Sequence, residues 1–303
     1  MKKYILYGAG KLGKKAYEEL GKERIDCFID KDRAGEEYCG IRVISLEDYL
    51  DEKKKEEIVI CIQNFKEITN LLLTKGITNF QIYRKVFMLD DVPLSKSISH
   101  LKWIDRLVEL ADFEGKEVLE IGSRVVTGSV FRDKFKHANY TGFDLYEGEN
   151  VDVVGDAHML SKYFNKKFDL IFSSAVFEHF SMPWLVADEM IKLLKVGGYV
   201  FTETHYSYSS HERPWHFFQF SEQALKVLFS EKRGIQCIEA GVSNPIVGYF
   251  SEEADEYLRG RTVPGLYCHS EFLGKKINEQ IDLSWKNNME IESLGMYPRK
   301  DSQ

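Results

Sequence analysis

The 303-residue sequence predicts an α/β chain built as two doubly wound parallel sheets in series. Short apolar runs ending at a glycine or an acid alternate with stretches of helical spacing, and this happens twice along the chain. Between the two series, "MLDDVPLSKSISHLK" at 88–102 breaks the pattern with Pro93 and three serines. The length points the same way, since a chain this long rarely keeps a single core.

The elements follow in order. "YILYG" at 4–8 reads as a buried parallel strand cut off by glycine. The next stretch puts Leu12, Ala16 and Leu20 on one helical face. "IDCFIDKD" and "EIVICIQN" are further strands, with Ser45 before "LEDYL" as a helix cap between them. "FKEITNLLLTKGITNFQIY" supplies helix, turn and strand. After the break come a helix at 103–112, the strand "EVLEIG", a helix near 128–136, and the strands "YTGFDLY" and "FDLIFSSAV". The helix "WLVADEMIKLLK" then leads into "GGYVFTETH", and a further helix starts at Ser221. The last fifty residues, after "VGYFSEEADEYL", alternate too weakly to place. The expected organisation is a first domain at 1–90, a linker at 91–102 and a second domain with a C-terminal extension at 103–303.

Composition excludes several classes. A net charge of -7 argues against a dedicated nucleic-acid binder. The five cysteines are scattered without paired spacing, as expected of reduced thiols in a cytoplasmic protein. The same spacing gives no zinc motif, so no obligatory metal is expected. The apolar run at the N-terminus breaks at Gly8, too short for a signal peptide, and no stretch reaches the roughly 20 apolar residues of a membrane span. Oligomeric state is left open.

Two loops carry chemistry. Gly8, Gly10 and Gly13 complete a G-x-G-x-x-G between strand and helix, and Asp30 ends the next strand. Such glycines permit a tight turn and close approach of phosphate to a helix N-terminus. The second loop, "VLEIGSRVVTGSVF" at 118–131, has Glu120 and Gly122 but puts Arg124 and Val126 where more glycines would be expected. Asp144 follows in "YTGFD", Asp156 and Ala157 in "GDAH", and Ser173 in "FDLIFSSAV".

In that order these landmarks resemble the class I methyltransferases that use S-adenosylmethionine (SAM), of the type 11-like group, over about 103–240. The resemblance implies a Rossmann-like fold and SAM as cofactor, held by Glu120, Gly122, Asp144, Asp156, Ala157 and Ser173. Asp144 would accept the ribose hydroxyls and Asp156 the adenine amino group. Arg124 points to solvent or binds the methionine carboxylate. His179 in "FEHF" and His205 in "TETH" are the candidate general bases. "THYSYSSHERPWHFFQFS" resembles the segment that covers the acceptor pocket, with His211, Arg213 and Trp215 as candidate contacts and the phenylalanines as core.

The first unit resembles the small Rossmann-like N-terminal domains of bacterial sugar-modifying enzymes, on "GAGKLGKKAYEEL", "FIDKD" and "GIRVISLEDYL". That implies a nucleotide or nucleotide-sugar; an NAD-type cofactor and a purely structural role stay open. The expected activity is methyl transfer from SAM to an oxygen or nitrogen of a small molecule. A phosphorylated or nucleotide-linked sugar of surface polysaccharide biosynthesis leads among acceptors. The rivals are an NAD-dependent sugar oxidoreductase and a non-catalytic SAM- or nucleotide-binding module.

Overall fold

In the computed structural model, which describes residues 2–83, 92–126, 128, 130–279 and 285, the first apolar run becomes β1 (Tyr4–Tyr7). It is followed by α1 (Lys11–Leu20), β2 (Ile25–Ile29), β3 (Glu37–Tyr38) and β4 (Ile41–Ile44). Then come α2 (Leu46–Asp51), β5 (Glu57–Ile60), α3 (Phe65–Thr74) and β6 (Phe80–Ile82). The sheet order is β3-β4-β2-β1-β5-β6, parallel except for β3, which runs antiparallel to β4.

Successive side chains of these strands go to opposite faces. Ile5, Tyr7, Ile29 and Ile60 meet Leu46 and Tyr49 of α2 and Leu72 of α3. Leu6, Phe28 and Val59 meet Ala16 of α1 on the other side. Burial on both faces is why the strands read as unbroken apolar runs. Ser45 caps α2 in a full capping box with Asp48. Gly13 lets α1 lie against β1, because a Cβ there would stand 2.0 Å from the Gly8 carbonyl oxygen.

The second series opens with α4 (Trp103–Ala111), β7 (Glu117–Ile121), β8 (Asn139–Asp144) and β9 (Val153–Val154). It continues through β10 (Phe168–Ser174), α5 (Pro183–Leu193), β11 (Leu194–His205) and α6 (Glu222–Leu228). Ser221 caps α6 through its hydroxyl, as expected. The stretch too weakly patterned to place contains the 15-residue strand β13 (Thr262–Lys276), and β12 (Ile235–Tyr249), of the same length, precedes it where no strand was expected. The seven strands order as β12-β13-β11-β10-β7-β8-β9, with β13 antiparallel to β11. α5 and α6 cover one face through Val186, Met190, Ile191 and Leu225. α4 covers the other through Trp103, Leu107 and Ala111, and the Trp103 ring stacks on Phe201 at 4.9 Å.

One expected element is corrected. The helix near 128–136 is only a 3-10 turn at Arg132–Lys134. Phe131 and Phe135 turn into the core there and Arg132 bonds Asn150, so side-chain anchoring replaces a helical ladder.

By contact the chain divides into two compact units, 1–89 with 245–266 and 90–244 with 267–303. The segment 245–266, expected in the C-terminal extension, groups with the first unit. Among the described residues no helix is long and apolar enough to cross a membrane.

Candidate active site

β7 lies between β8 and β10: the chain leaves it to build β8 and β9 on one side, then returns to build β10 and β11 on the other. Such a reversal opens a crevice beyond the carboxyl ends of the strands, where ligands bind in open α/β sheets. Gly122 stands there with φ +82°, and a Cβ on it would come within 2.2 Å of the Val176 side chain. Only glycine satisfies both constraints.

The acids near this crevice have separate tasks. The Glu120 carboxylate is buried and takes hydrogen bonds from the Tyr140 hydroxyl and from Asn150 Nδ2. Desolvation pushes it up to about 7 against those bonds, so Glu120 serves as a brace between β7 and β8. Asp144 ends β8 and accepts from the amides of Arg124 (3.3 Å) and Tyr146 (3.0 Å). Arg124 Nε lies 3.6 Å from Asp144 Oδ1, so this side chain folds back over the acid instead of pointing to solvent. Asp156 caps the 3-10 helix Ala157–Lys162 and bonds both the amide (2.9 Å) and Nδ1 (2.6 Å) of His158. Burial alone would raise it, but the His158 contacts outweigh that and hold it below the usual carboxylate range. Ala157 is buried beside it. The Ser173 hydroxyl is fully buried without a hydrogen-bond partner, and neighbouring Ser174 donates to Glu203 at 2.8 Å.

On the far side of the crevice the 3-10 turn Phe177–His179 meets the end of β11 and the segment after it. Glu178 is fully buried; Thr204 donates to its Oε2 at 2.7 Å, and His205 Nδ1 lies 2.8 Å from its Oε1. His179 Nδ1 donates to the Trp215 carbonyl at 2.8 Å, while its Nε2 faces Glu212 at 3.7 Å. The His211 ring stands 5.0 Å from that of His179, 5.1 Å from His205 and 4.6 Å from His216. Four histidines therefore converge where the sequence showed only a loose string of them. Arg213 is exposed and pairs with no carboxylate among the described residues. Trp215 is 58% exposed and Phe217 42%, so neither is core; Phe220 is buried and Phe218 packs against the core partly buried.

A second cluster has no sequence signature. Antiparallel register sets Glu203 opposite Glu271 and His205 opposite His269. His100 Nδ1 bonds Glu203 at 2.9 Å, its ring stacks on His269 at 4.1 Å, and Ser95 and Ser243 donate to Glu271. The Glu203 bond raises His100, desolvation pushes His269 down to about 4, and desolvation pushes Glu271 up to about 7. Either cluster offers ligand types suited to a cation, which motif spacing had not suggested.

In the first unit the reversal falls between β1 and β5. A cleft of about 320 Å³ opens there, lined by Gly8, Gly10, Lys11, Leu12, Cys61, Ile62 and Gln63. Asp30 accepts from the Ala9 amide at 2.8 Å and the Asp32 amide at 3.0 Å. Arg33 and Tyr38 donate to the carbonyls of Ala9 and Gly10. The carboxylate thus braces the glycine loop.

Residues 96–240 match a family described as "Methyltransferase domain". No curated protein matches the chain. Among solved structures, TehB from Haemophilus influenzae is 17% identical with a TM-score of 0.39, covering 57% of this chain; the chain spans 61% of its length. A SAM-dependent methyltransferase from Archaeoglobus fulgidus is 17% identical (TM-score 0.41; 57% of this chain, 91% of that one). Magnesium protoporphyrin IX methyltransferase from Synechocystis PCC 6803, solved with bound SAM, is 12% identical (TM-score 0.36; 57% and 74%). Residues 96–240, within the second α/β series, thus carry a methyltransferase domain.

Proposed function

We propose that this chain, a SAM-dependent methyltransferase by the domain it carries at 96–240, methylates an oxygen or nitrogen of a small anionic acceptor. The carrying observation is that Gly122 and Asp144 each stand one residue past the last paired positions, Ile121 and Phe143, of adjacent strands β7 and β8. The glycine gives the cofactor a close backbone approach, and the carboxylate accepts its ribose hydroxyls. Asp156, Ala157 and Ser173 complete the cofactor side, Ser173 with a buried hydroxyl that lacks a partner.

The acceptor's lone pair attacks the sulfonium methyl in line. The carbon–sulfur bond breaks, S-adenosylhomocysteine leaves as a neutral thioether, and the acceptor's proton goes to a base. We assign that base to His179. Its Nδ1–H is committed to the Trp215 carbonyl, which leaves Nε2 as the lone pair, and Glu212 stands ready for the imidazolium. Most of the acceleration comes from positioning.

The acceptor we favour is a phosphorylated or nucleotide-linked sugar, as in polysaccharide biosynthesis. Exposed Arg213 beside the histidine cluster suits a phosphate. The cleft at Gly8 and Gly10 suits a nucleotide, in a first unit we read as Rossmann-like. Calorimetry with SAM on the wild-type and Asp144→Ala chains tests the cofactor site; equal affinity in a folded variant would overturn it.

A further inference from the structure

We infer that Glu178, His205 and His211 form a binding site for a divalent cation of borderline softness, of the Zn²⁺ class. Two buried polar atoms argue for it first. Glu178 Oε1 and His205 Nδ1 face each other at 2.8 Å as a charged contact, and neither makes a well-aligned hydrogen bond to any other group. Buried polar atoms without aligned hydrogen bonds are costly, and two side by side, within 4.8 Å of a His211 ring nitrogen, offer a cation a common site. A cation accepts both lone pairs at once.

The surroundings fit a coordination shell. Thr204 holds Glu178 Oε2, which fixes the carboxylate and leaves Oε1 for an ion. His211 Nδ1 donates to the Ser209 carbonyl at 3.0 Å, so its Nε2 carries the free lone pair. A ring nitrogen bonded to a backbone carbonyl is how metal-binding histidines are oriented. One ligand atom from each of the three residues lies within 4.8 Å of the others. The cluster of His100, Glu203 and His269 is the weaker candidate. Its rings are stacked 11° from parallel, so their in-plane lone pairs do not converge, and Glu203 is already bonded by His100 and Ser174.

Two imidazoles and one carboxylate leave a coordination position open, the pattern of catalytic rather than structural zinc. Resting on the methyltransferase reading, that position takes the acceptor's hydroxyl and lowers its pKa. The hydroxyl proton then passes to His179, and the resulting alkoxide attacks the methyl group. The cation binding itself does not depend on that reading.

Equilibrium dialysis of the full chain against Zn²⁺, with Co²⁺ absorption as a second readout, tests the site. One ion per chain is expected. Glu178→Gln and His211→Ala should each weaken binding by about 100-fold or more, and His269→Ala should leave it unchanged. His211 is half-exposed, so its variant keeps the test open if Glu178→Gln fails to fold. A wild-type chain that binds no ion, or ion binding that survives His211→Ala, overturns the site, as does loss confined to His269→Ala. SAM affinity, measured in parallel, separates this result from the cofactor assignment: intact SAM binding without metal sinks only the metal site.

Discussion

Arg124 and Asp144 form an ion pair across the cofactor loop, with Nε 3.6 Å from Oδ1 and the Arg124 amide 3.3 Å from Oδ2. A residue standing where a further glycine was expected thus occupies the acid we propose for the ribose. At the proposed cofactor site, SAM would share or displace this pair. Asp144→Ala should weaken SAM binding by about 2–4 kcal/mol, the worth of two charge-assisted hydrogen bonds. Arg124→Ala should bind SAM as tightly as wild type or more so. Calorimetry on the two variants checks both directions.

Gly122 is strained against any side chain. Gly122→Ala puts a methyl into Val176 and an L-residue at φ +82°. We expect a loss of about 1–3 kcal/mol and weaker SAM binding. Adding Val176→Ala should recover part of the stability, because it relieves the clash but not the backbone. Thermal unfolding of the single and double variants measures that split.

The acceptor side separates binding from chemistry. Arg213→Ala should raise the acceptor's KM and leave SAM affinity intact. His179→Ala should lower kcat by roughly 10²–10⁴-fold with little change in KM. Single-turnover rates within a few-fold of wild type would remove His179 as the base.

Glu120 gives a pH dependence with a definite sign. In the unfolded chain it ionises near 4.5, while burial keeps it protonated in the fold up to about 7. Folding therefore takes up a proton between these values. The contribution is fully present below pH 4.5 and is lost as pH rises to 7, on the order of 3 kcal/mol. Denaturant unfolding across this window should show a shallower fall in Glu120→Gln than in wild type.

If the first unit takes a nucleotide rather than driving redox chemistry, NAD or NADP with candidate sugars should give no substrate-dependent change at the reduced-nicotinamide absorbance. Turnover at an enzyme-like rate would displace methyl transfer as the principal function.

What the sequence determined by itself is local. Apolar runs ending at Gly8 and Gly122, helical spacing through Leu12, Ala16 and Leu20, and the serines at 45 and 221 are encoded in near neighbours. Turn geometry and caps depend on only a few residues, so the strand ends at both glycine loops and the starts of the capped helices were legible. Pairing between distant strands was not. β13 escaped because its partner β11 lies far back along the chain, and β12 because it joins the sheet through β13, while the helix near 128–136 yielded to Phe131 and Phe135 seeking the core. The site depended on the same long-range choices. Antiparallel register brought His269 beside His205, Tyr140 and Asn150 claimed Glu120, and Asp144 drew Arg124 back from solvent. A carboxylate's role is set by which donors the fold brings to it, and those donors are chosen by tertiary packing.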